Sequence, residues 1–217
     1  MNTSLSESKM KTKLLNAAAM LLMEEGVNSL TTRKIANAAN TSTMAVYTNF
    51  GSINNLANEL IAHGFILLWE EVRLVQFSED ALVDLLHITT GYLNFANKQP
   101  ALYKCMFGVT SLGELKTSEK ENLKSGLYTL DIVVKTVQRL IDGKVIKAEN
   151  AFHIANEWWV IVHGYSLFEF GDIFSKDKSV PKVLTPLLLH FLMGLGVDPT
   201  HAKEALTNHF RYLDNTI

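Results

Sequence analysis

Residues 31–50 read Thr-Thr-Arg-Lys-Ile-Ala-Asn-Ala-Ala-Asn-Thr-Ser-Thr-Met-Ala-Val-Tyr-Thr-Asn-Phe. The spacing predicts a short helix, a tight turn and a second short helix. Thr31 opens the first helix, in which Ile35, Ala36 and Ala39 share one face. Ala36, Ala38 and Ala39 are small enough for the two helices to cross closely. Asn40 falls where the chain must turn sharply, and asparagine tolerates the left-handed conformation better than most residues. Ser42 can cap the second helix by accepting from its unpaired N–H groups. That helix turns Val46 and Phe50 inward and Thr43, Met44, Thr48 and Asn49 outward. Polar side chains and the methyl of Ala45 on an exposed short helix suit base edges in a major groove. Thr31, Thr32 and the first amides of the preceding helix suit phosphate oxygens.

Outward from this segment the helical period dominates, with no sustained strand alternation. Leu14, Leu15, Ala18, Ala19, Leu21, Leu22 and Met23 form an apolar stripe that ends at Gly26. A longer helix is predicted from Ile53 to about Phe77. Ser78 ahead of Glu79 and Asp80 reads as an N-cap with acids in the first turn. Pro100 opens another helix. Ser118 with Glu121 matches a capping box, for a helix reaching Asp142 and stopped by Gly143. Asp198 and Pro199 open the last helix, to about Leu213. The fold class is all-α with about nine or ten helices. Three short N-terminal helices, marginal alone, must pack on one another. Residues 1–52 are therefore expected to form a small domain, and 53–217 a larger helical one.

Composition narrows the classes. In 217 residues, 20 Lys and Arg stand against 22 Asp and Glu, a net charge of −2, which excludes a chain coated with basic residues. The single cysteine, Cys105, excludes a disulfide scaffold and reads as a small buried hydrophobe rather than a redox sensor. Residues 1–60 hold five basic side chains (Lys9, Lys11, Lys13, Arg33, Lys34) and four acids (Glu7, Glu24, Glu25, Glu59), so the N-terminal part can face an anion. The polar start of the chain lacks a signal-peptide core. The apolar stretches 158–170 and 183–197 are too short to cross a bilayer. The expectation is a cytoplasmic protein with no membrane partner.

Thr-Thr-Arg-Lys-Ile-Ala, then Ala-Asn-Thr-Ser, then Val-Tyr-Thr-Asn-Phe and Leu56 resemble the DNA-binding domain of TetR-family transcriptional regulators, in register over residues 10–57. The resemblance implies a helix-turn-helix whose second helix enters the major groove, and a homodimer on double-stranded operator DNA. By position, Thr32, Arg33, Tyr47 and Asn49 resemble phosphate and groove contacts, and Ser42, Thr43, Met44, Ala45 and Thr48 occupy base-facing positions. Two departures stand out. Asn40 replaces the usual glycine, which the turn can absorb. Ile53 replaces the usual lysine, so one phosphate contact is missing, and Lys9, Lys11 or Lys13 could compensate.

Farther along, Pro100, Tyr103, Met106 and Phe107 resemble the Pro-x-x-Tyr-x-x-Met-Phe segment of one TetR subgroup. Trp159, His163 and Gly164 match the Trp-x-x-x-His-Gly motif that names it. The resemblance implies a C-terminal domain that dimerises and holds a small effector. Nine of the thirteen residues at 158–170 are apolar, too many for a helix with one solvated face, and 183–197 has the same excess. Two such helices per subunit would form a four-helix contact at a two-fold axis. Trp158, Gly164, Tyr165, Phe168, Leu188, Phe191, Leu192 and Leu195 are the candidate dimer residues. Trp69, Phe95, Tyr103, Phe107, Tyr128, Trp159 and His163 are the candidate ligand residues, suited to an apolar or aromatic effector.

Rival readings use the same residues. A lone histidine such as His163 on an apolar helix is more often a hydrogen-bonded core residue than a base. His153 and Glu157, four apart, could hold a metal, yet no third ligand completes a pattern. No nucleophile elbow, phosphate loop or zinc-protease motif is present, so no catalytic residue, metal or cofactor is expected. The preferred reading is a repressor released by its effector. The alternatives are a DNA-binding regulator without an effector, constitutive or protein-partnered, and a helical enzyme using His163 or His153 with Glu157.

Overall fold

A computed structural model describes residues 2–73, 78–109, 111–113, 115, 119–171 and 179–211, with backbone alone at 2–8, 119–125, 127–128 and 211. Ten α-helices and no strand occur among the described residues: α1 (Asn2–Glu25), α2 (Thr32–Ala38), α3 (Thr43–Phe50), α4 (Ile53–Arg73), α5 (Ala81–Lys98), α6 (Pro100–Met106), α7 (Glu119–Asp142), α8 (Ala151–Phe170), α9 (Thr185–Gly194) and α10 (Pro199–Arg211). A 3₁₀ turn, Val27–Ser29, follows α1, and a π-helical turn, Val180–Leu184, runs into α9. Pro186 has no N–H to return to the preceding turn, which accounts for the widened helix just ahead of it.

The termini show why the helices stop where they do. Gly26 has φ 78° and donates its N–H to Leu22 O at 3.1 Å, closing α1. Asn150 Oδ1 accepts from His153 N at the start of α8, and Asp198 Oδ1 accepts from Thr200 N and His201 N at the start of α10. Pro100 occupies the first position of α6. One expectation needs correction. The cap of α5 is Asp80, whose Oδ1 accepts from Leu82 N and Val83 N, while the Ser78 N–H donates to Asp84. α7 ends at Asp142 with Gly143 next, as expected, and the left-handed residue is Lys144 (φ 55°), one further on. Ser118 and residues 74–77 lie outside the described residues.

By compactness the chain forms two units, residues 1–68 with 97–129, and residues 69–96 with 130–217. In the first, Leu14, Ala18 and Leu22 of α1 are buried with Ile35, Val46, Leu56 and Leu60. Met23, counted in the apolar stripe of α1, is instead 47% exposed. Gly64 of α4 lets α6 approach closely, since a Cβ there would fall 2.5 Å from Met106 Sδ. Cys105 of α6 is buried, and burial pushes its thiol up to about 11, which keeps it protonated and unreactive at neutral pH.

In the second unit Gly91 plays the matching part between α4 and α5, where a Cβ would lie 2.9 Å from Glu71 O. Polar groups there pair across helices. The fully buried Asp84 carboxylate accepts from Ser78 N, Ser78 Oγ and the Arg139 guanidinium, which also reaches Ser78 O. Trp158 Nε1–H donates to Thr89 Oγ1 at 3.0 Å. Among the described residues, no helix is long and apolar enough to cross a membrane.

Candidate nucleic-acid interface

The α2–α3 corner is built from local hydrogen bonds. Thr31 Oγ1 accepts from Lys34 N, and Ser42 Oγ accepts from Ala45 N, both at 3.3 Å. Between them Asn40 adopts φ 46°, and Thr41 N–H reaches back five residues to Ala36 O at 2.9 Å. That bond closes α2 in the way a glycine usually permits, so the expected tolerance of asparagine holds. Gly51 (φ 71°) ends α3 by donating to Tyr47 O, and Asn55 Nδ2 donates to Phe50 O, bracing the corner with α4. Ser52 Oγ, accepting from Asn55 N, caps α4 beside Ile53.

Burial separates the two faces of α3 as expected. Val46 is fully buried and Phe50 nearly so, anchoring the helix to α1 and α2. Met44 is 70% and Tyr47 52% exposed, with Thr43 and Thr48 exposed and Ala45 half-buried. Asn49 is half-buried and donates Nδ2–H to Ala45 O at 2.7 Å, so its amide lies along its own helix. On α2, Thr31 and Arg33 are exposed and Thr32 is half-buried.

Two lysines are engaged within the unit. Lys34 pairs with Glu25, and Lys11 pairs with Glu59 at 2.6 Å while lying over the Phe50 ring at 5.6 Å. Lys11 thus braces α1, α3 and α4, which leaves Lys9 and Lys13, both exposed, as the candidates to replace the lysine missing at position 53.

The expected ligand residues divide between the two units. Tyr103 and Phe107 belong to the first, where Phe107 contacts Tyr103 at 4.8 Å and Phe65 at 5.5 Å between ring centroids. The Tyr128 side chain lies outside the described ones. Trp69, Phe95, Trp159 and His163 belong to the second. Trp69 carries the Arg73 guanidinium 4.7 Å from its ring, and Phe95 is buried. Tyr92, absent from the expected set, links the other two: it accepts from Trp159 Nε1 at 3.1 Å and meets His163 Nδ1 at 3.2 Å. Burial holds the His163 imidazole below its usual 6.5 and so neutral, which lets Nδ1 accept the tyrosine proton.

The candidate dimer residues need a correction. Trp158, Tyr165, Leu188 and Leu192 are no more than 4% exposed within one chain, so they belong to its core and not to an open face. Phe168 is 52% exposed, and Gly164, Phe191 and Leu195 are half-buried. The outward apolar residues missed by the sequence reading are Val160 (70%), Leu187 and Met193. Val160, Gly164 and Phe168 follow one another at intervals of four, the signal that could have found them. Among the described residues, a Cβ at Gly164 or at Gly194 would meet nothing within 4 Å.

His153 and Glu157 line an open groove of about 650 Å³ with Lys147, Ala148, Glu149, Asn150 and Ile154. Among the described residues, no group of three His, Cys, Asp or Glu is placed to hold a metal ion.

Comparison with known proteins gives a consistent answer. The family model "Bacterial regulatory proteins, tetR family" matches residues 14–60, and "Tetracyclin repressor-like, C-terminal domain" matches residues 85–191. The uncharacterized HTH-type transcriptional regulator YobS of Bacillus subtilis (strain 168) is 20% identical over 188 residues, covering 85% of this chain and 92% of its own. A solved protein of unknown function from Rhodococcus sp. RHA1 superposes with a TM-score of 0.71 at 22% identity, covering 86% of this chain and 95% of its own. RolR in complex with the ligand resorcinol superposes with a TM-score of 0.64 at 11% identity, covering 94% and 96%. The two family models fall on the helix-turn-helix unit and on the helices that follow it, and together they span most of the sequence: the chain belongs to the TetR family of transcriptional regulators.

Proposed function

We propose that this regulator is a homodimeric repressor that inserts one α3 from each subunit into successive major grooves of a palindromic operator and is released by a small apolar or aromatic effector. The observation that carries the DNA-binding half is α3 itself. Its inner residues Val46 and Phe50 are buried while Thr43, Met44, Tyr47 and Thr48 stand exposed. In functional terms residues 1–52 are the DNA-binding domain and 53–217 the effector and dimerisation domain, in the cytoplasm. Two-fold symmetry must hold the recognition helices about 34–36 Å apart. The exposed Val160 and Phe168 on α8, with half-buried Gly164 between them and Leu187 on α9, support pairing with a second copy. Gly164 and Gly194 support it too. Glycine in a helix costs about 1 kcal/mol relative to alanine, and among the described residues nothing comes within 4 Å of a Cβ added at either one.

An effector that binds better to a dimer with the wrong head spacing lowers operator affinity, typically through about 1–3 kcal/mol of coupling. The half-buried Trp159 and His163, oriented by Tyr92, are the groups to meet it, and RolR, of similar fold, holds an aromatic diol. The test is operator titration by fluorescence anisotropy in rising salt. Tyr47→Ala and Thr43→Ala are expected to weaken binding by about 1 kcal/mol each, and unchanged affinity in both would refute the assignment.

The second reading, a DNA-binding regulator without an effector, is favoured by one observation: Phe95 and Tyr103 are fully packed against their own chain. Thermal shifts across a panel of aromatic and aliphatic compounds separate the two. Silence with every compound supports the second reading. We read the chain as a non-enzyme; activity surviving Tyr47→Ala but lost in His163→Ala would reverse that.

A further inference from the structure

The side chains that α3 holds outward are unusual for a helix that reads bases. Between Thr43 and Phe50 it carries no charged residue. Guanine is most often read by the paired donors of arginine or lysine, adenine by the paired groups of asparagine or glutamine, and cytosine by a carboxylate. α3 has no side chain of the first or third kind, and its one amide, Asn49, is turned back on Ala45 O at 2.7 Å. Besides Tyr47, it exposes Thr43, Met44 and Thr48, each carrying a methyl group, beside the half-buried Ala45. The hydroxyls of Thr43 and Thr48 can donate or accept and so bond to more than one base, which leaves them little power to discriminate. The methyl groups do discriminate, because thymine alone among the bases presents an apolar group, its C5-methyl, in the major groove.

We propose that α3 reads thymine methyl groups, so that each operator half-site carries thymines at the positions facing Thr43, Met44 and Thr48. The inference rests on the DNA-binding reading above and deepens it by naming what is recognised. Arg33 is exposed on α2 and not on α3, and Lys34 is paired with Glu25, so α3 itself carries no guanine-reading fork. Burying one methyl against apolar side chains corresponds to about a fourfold gain in affinity.

The experiment selects duplexes from a randomised pool with the purified full-length protein, then titrates the selected duplex and a copy with deoxyuridine for thymine in the half-sites. Uracil pairs as thymine does and lacks only the methyl. The expected result is thymine enriched at two or more positions of each half-site, and binding weakened about tenfold or more by uracil. A duplex with uracil only between the half-sites should bind like the parent. Met44→Ala, at an exposed position that leaves the fold intact, should shrink the thymine-to-uracil ratio several-fold. Selection of a palindrome whose uracil form binds equally well would overturn this inference and leave the DNA-binding reading standing. Selection of no sequence and no duplex would overturn both.

Discussion

At the α2–α3 corner the hydrogen bonds join residues three to five positions apart: Lys34 to Thr31, Ala45 to Ser42, Thr41 to Ala36. In the second unit they reach across 55 positions from Arg139 to Asp84, 69 from Trp158 to Thr89, 71 from Tyr92 to His163 and 119 from Thr90 to His209. The first arrangement leaves one face of α3 open, with its side chains available to a partner. The second uses polar groups to lock helices together in an interior that is otherwise apolar. A short element survives on local caps when its outer face is needed elsewhere, whereas long helices are registered by pairs distant in sequence.

Four perturbations test that contrast, from the largest effect to the smallest. Asp84→Ala removes a carboxylate that Arg139 and Ser78 both address, breaking the ion pair between α5 and α7. Arg139 is 36% exposed, so water takes over part of the lost contact, and the cost is expected to be about 2–3 kcal/mol. Denaturant unfolding is expected to show it, and a loss below 1 kcal/mol would mean the pair does not register the helices. Acidification comes next. Burial, with the charge of His87 adding to it and a backbone hydrogen bond to Leu86 opposing it, lowers His209 to about 4, below the usual 6.5, and burial lowers His163 as well. Both folded values lie below the unfolded one, so the unfolded chain binds more protons as pH falls. Stability is therefore complete above 6.5 and declines from there toward 4, by at most about 1.4 kcal/mol per pH unit for each group. Thermal midpoints at pH 7.5 and 5 measure the decline, and His209→Gln should flatten it.

Ser42→Ala deletes a local cap and should cost about 1 kcal/mol. Hydrogen exchange should place that loss in α3, with the α5–α8 amides unchanged; a loss spread over both units would erase the distinction drawn here. Gly164→Ala is the smallest and the most informative. With nothing within 4 Å of the added methyl, it should raise helix stability by about 0.5–1 kcal/mol. Sedimentation should at the same time show weaker self-association, and equal or tighter association would remove Gly164 from the proposed interface.

The same contrast explains which features could be read in advance. Thr31, Asn40, Ser42, Gly26, Pro100 and Asp198 act on neighbours a few residues away, and each appears in the structure in the expected part. The cap of α5 falls two positions beyond Ser78 because Ser78 and Asp80 both stand ahead of α5 as capping residues. The bond from Ser78 N–H to Asp84, in a cluster shared with Arg139 of α7, decides between them. The apolar excess of α8 and α9 was legible, but its direction was not. In a helix apolar nearly all round, the period of 3.6 leaves no polar face to mark the outside. Hence Trp158, Tyr165, Leu188 and Leu192 turned inward while Val160, Leu187 and Met193 faced out.

Sequence alone settles the all-α class, several of the helix caps and the family of this chain, because caps, glycines and prolines act on backbone within one turn and the helix-turn-helix is complete within twenty residues. Tertiary structure alone decides which aromatic side chains are core, which histidine meets Tyr92, and which edge of α8 is left bare. Those outcomes depend on which helices pack against one another, and a helix carries no record in its own period of the neighbour that will cover it.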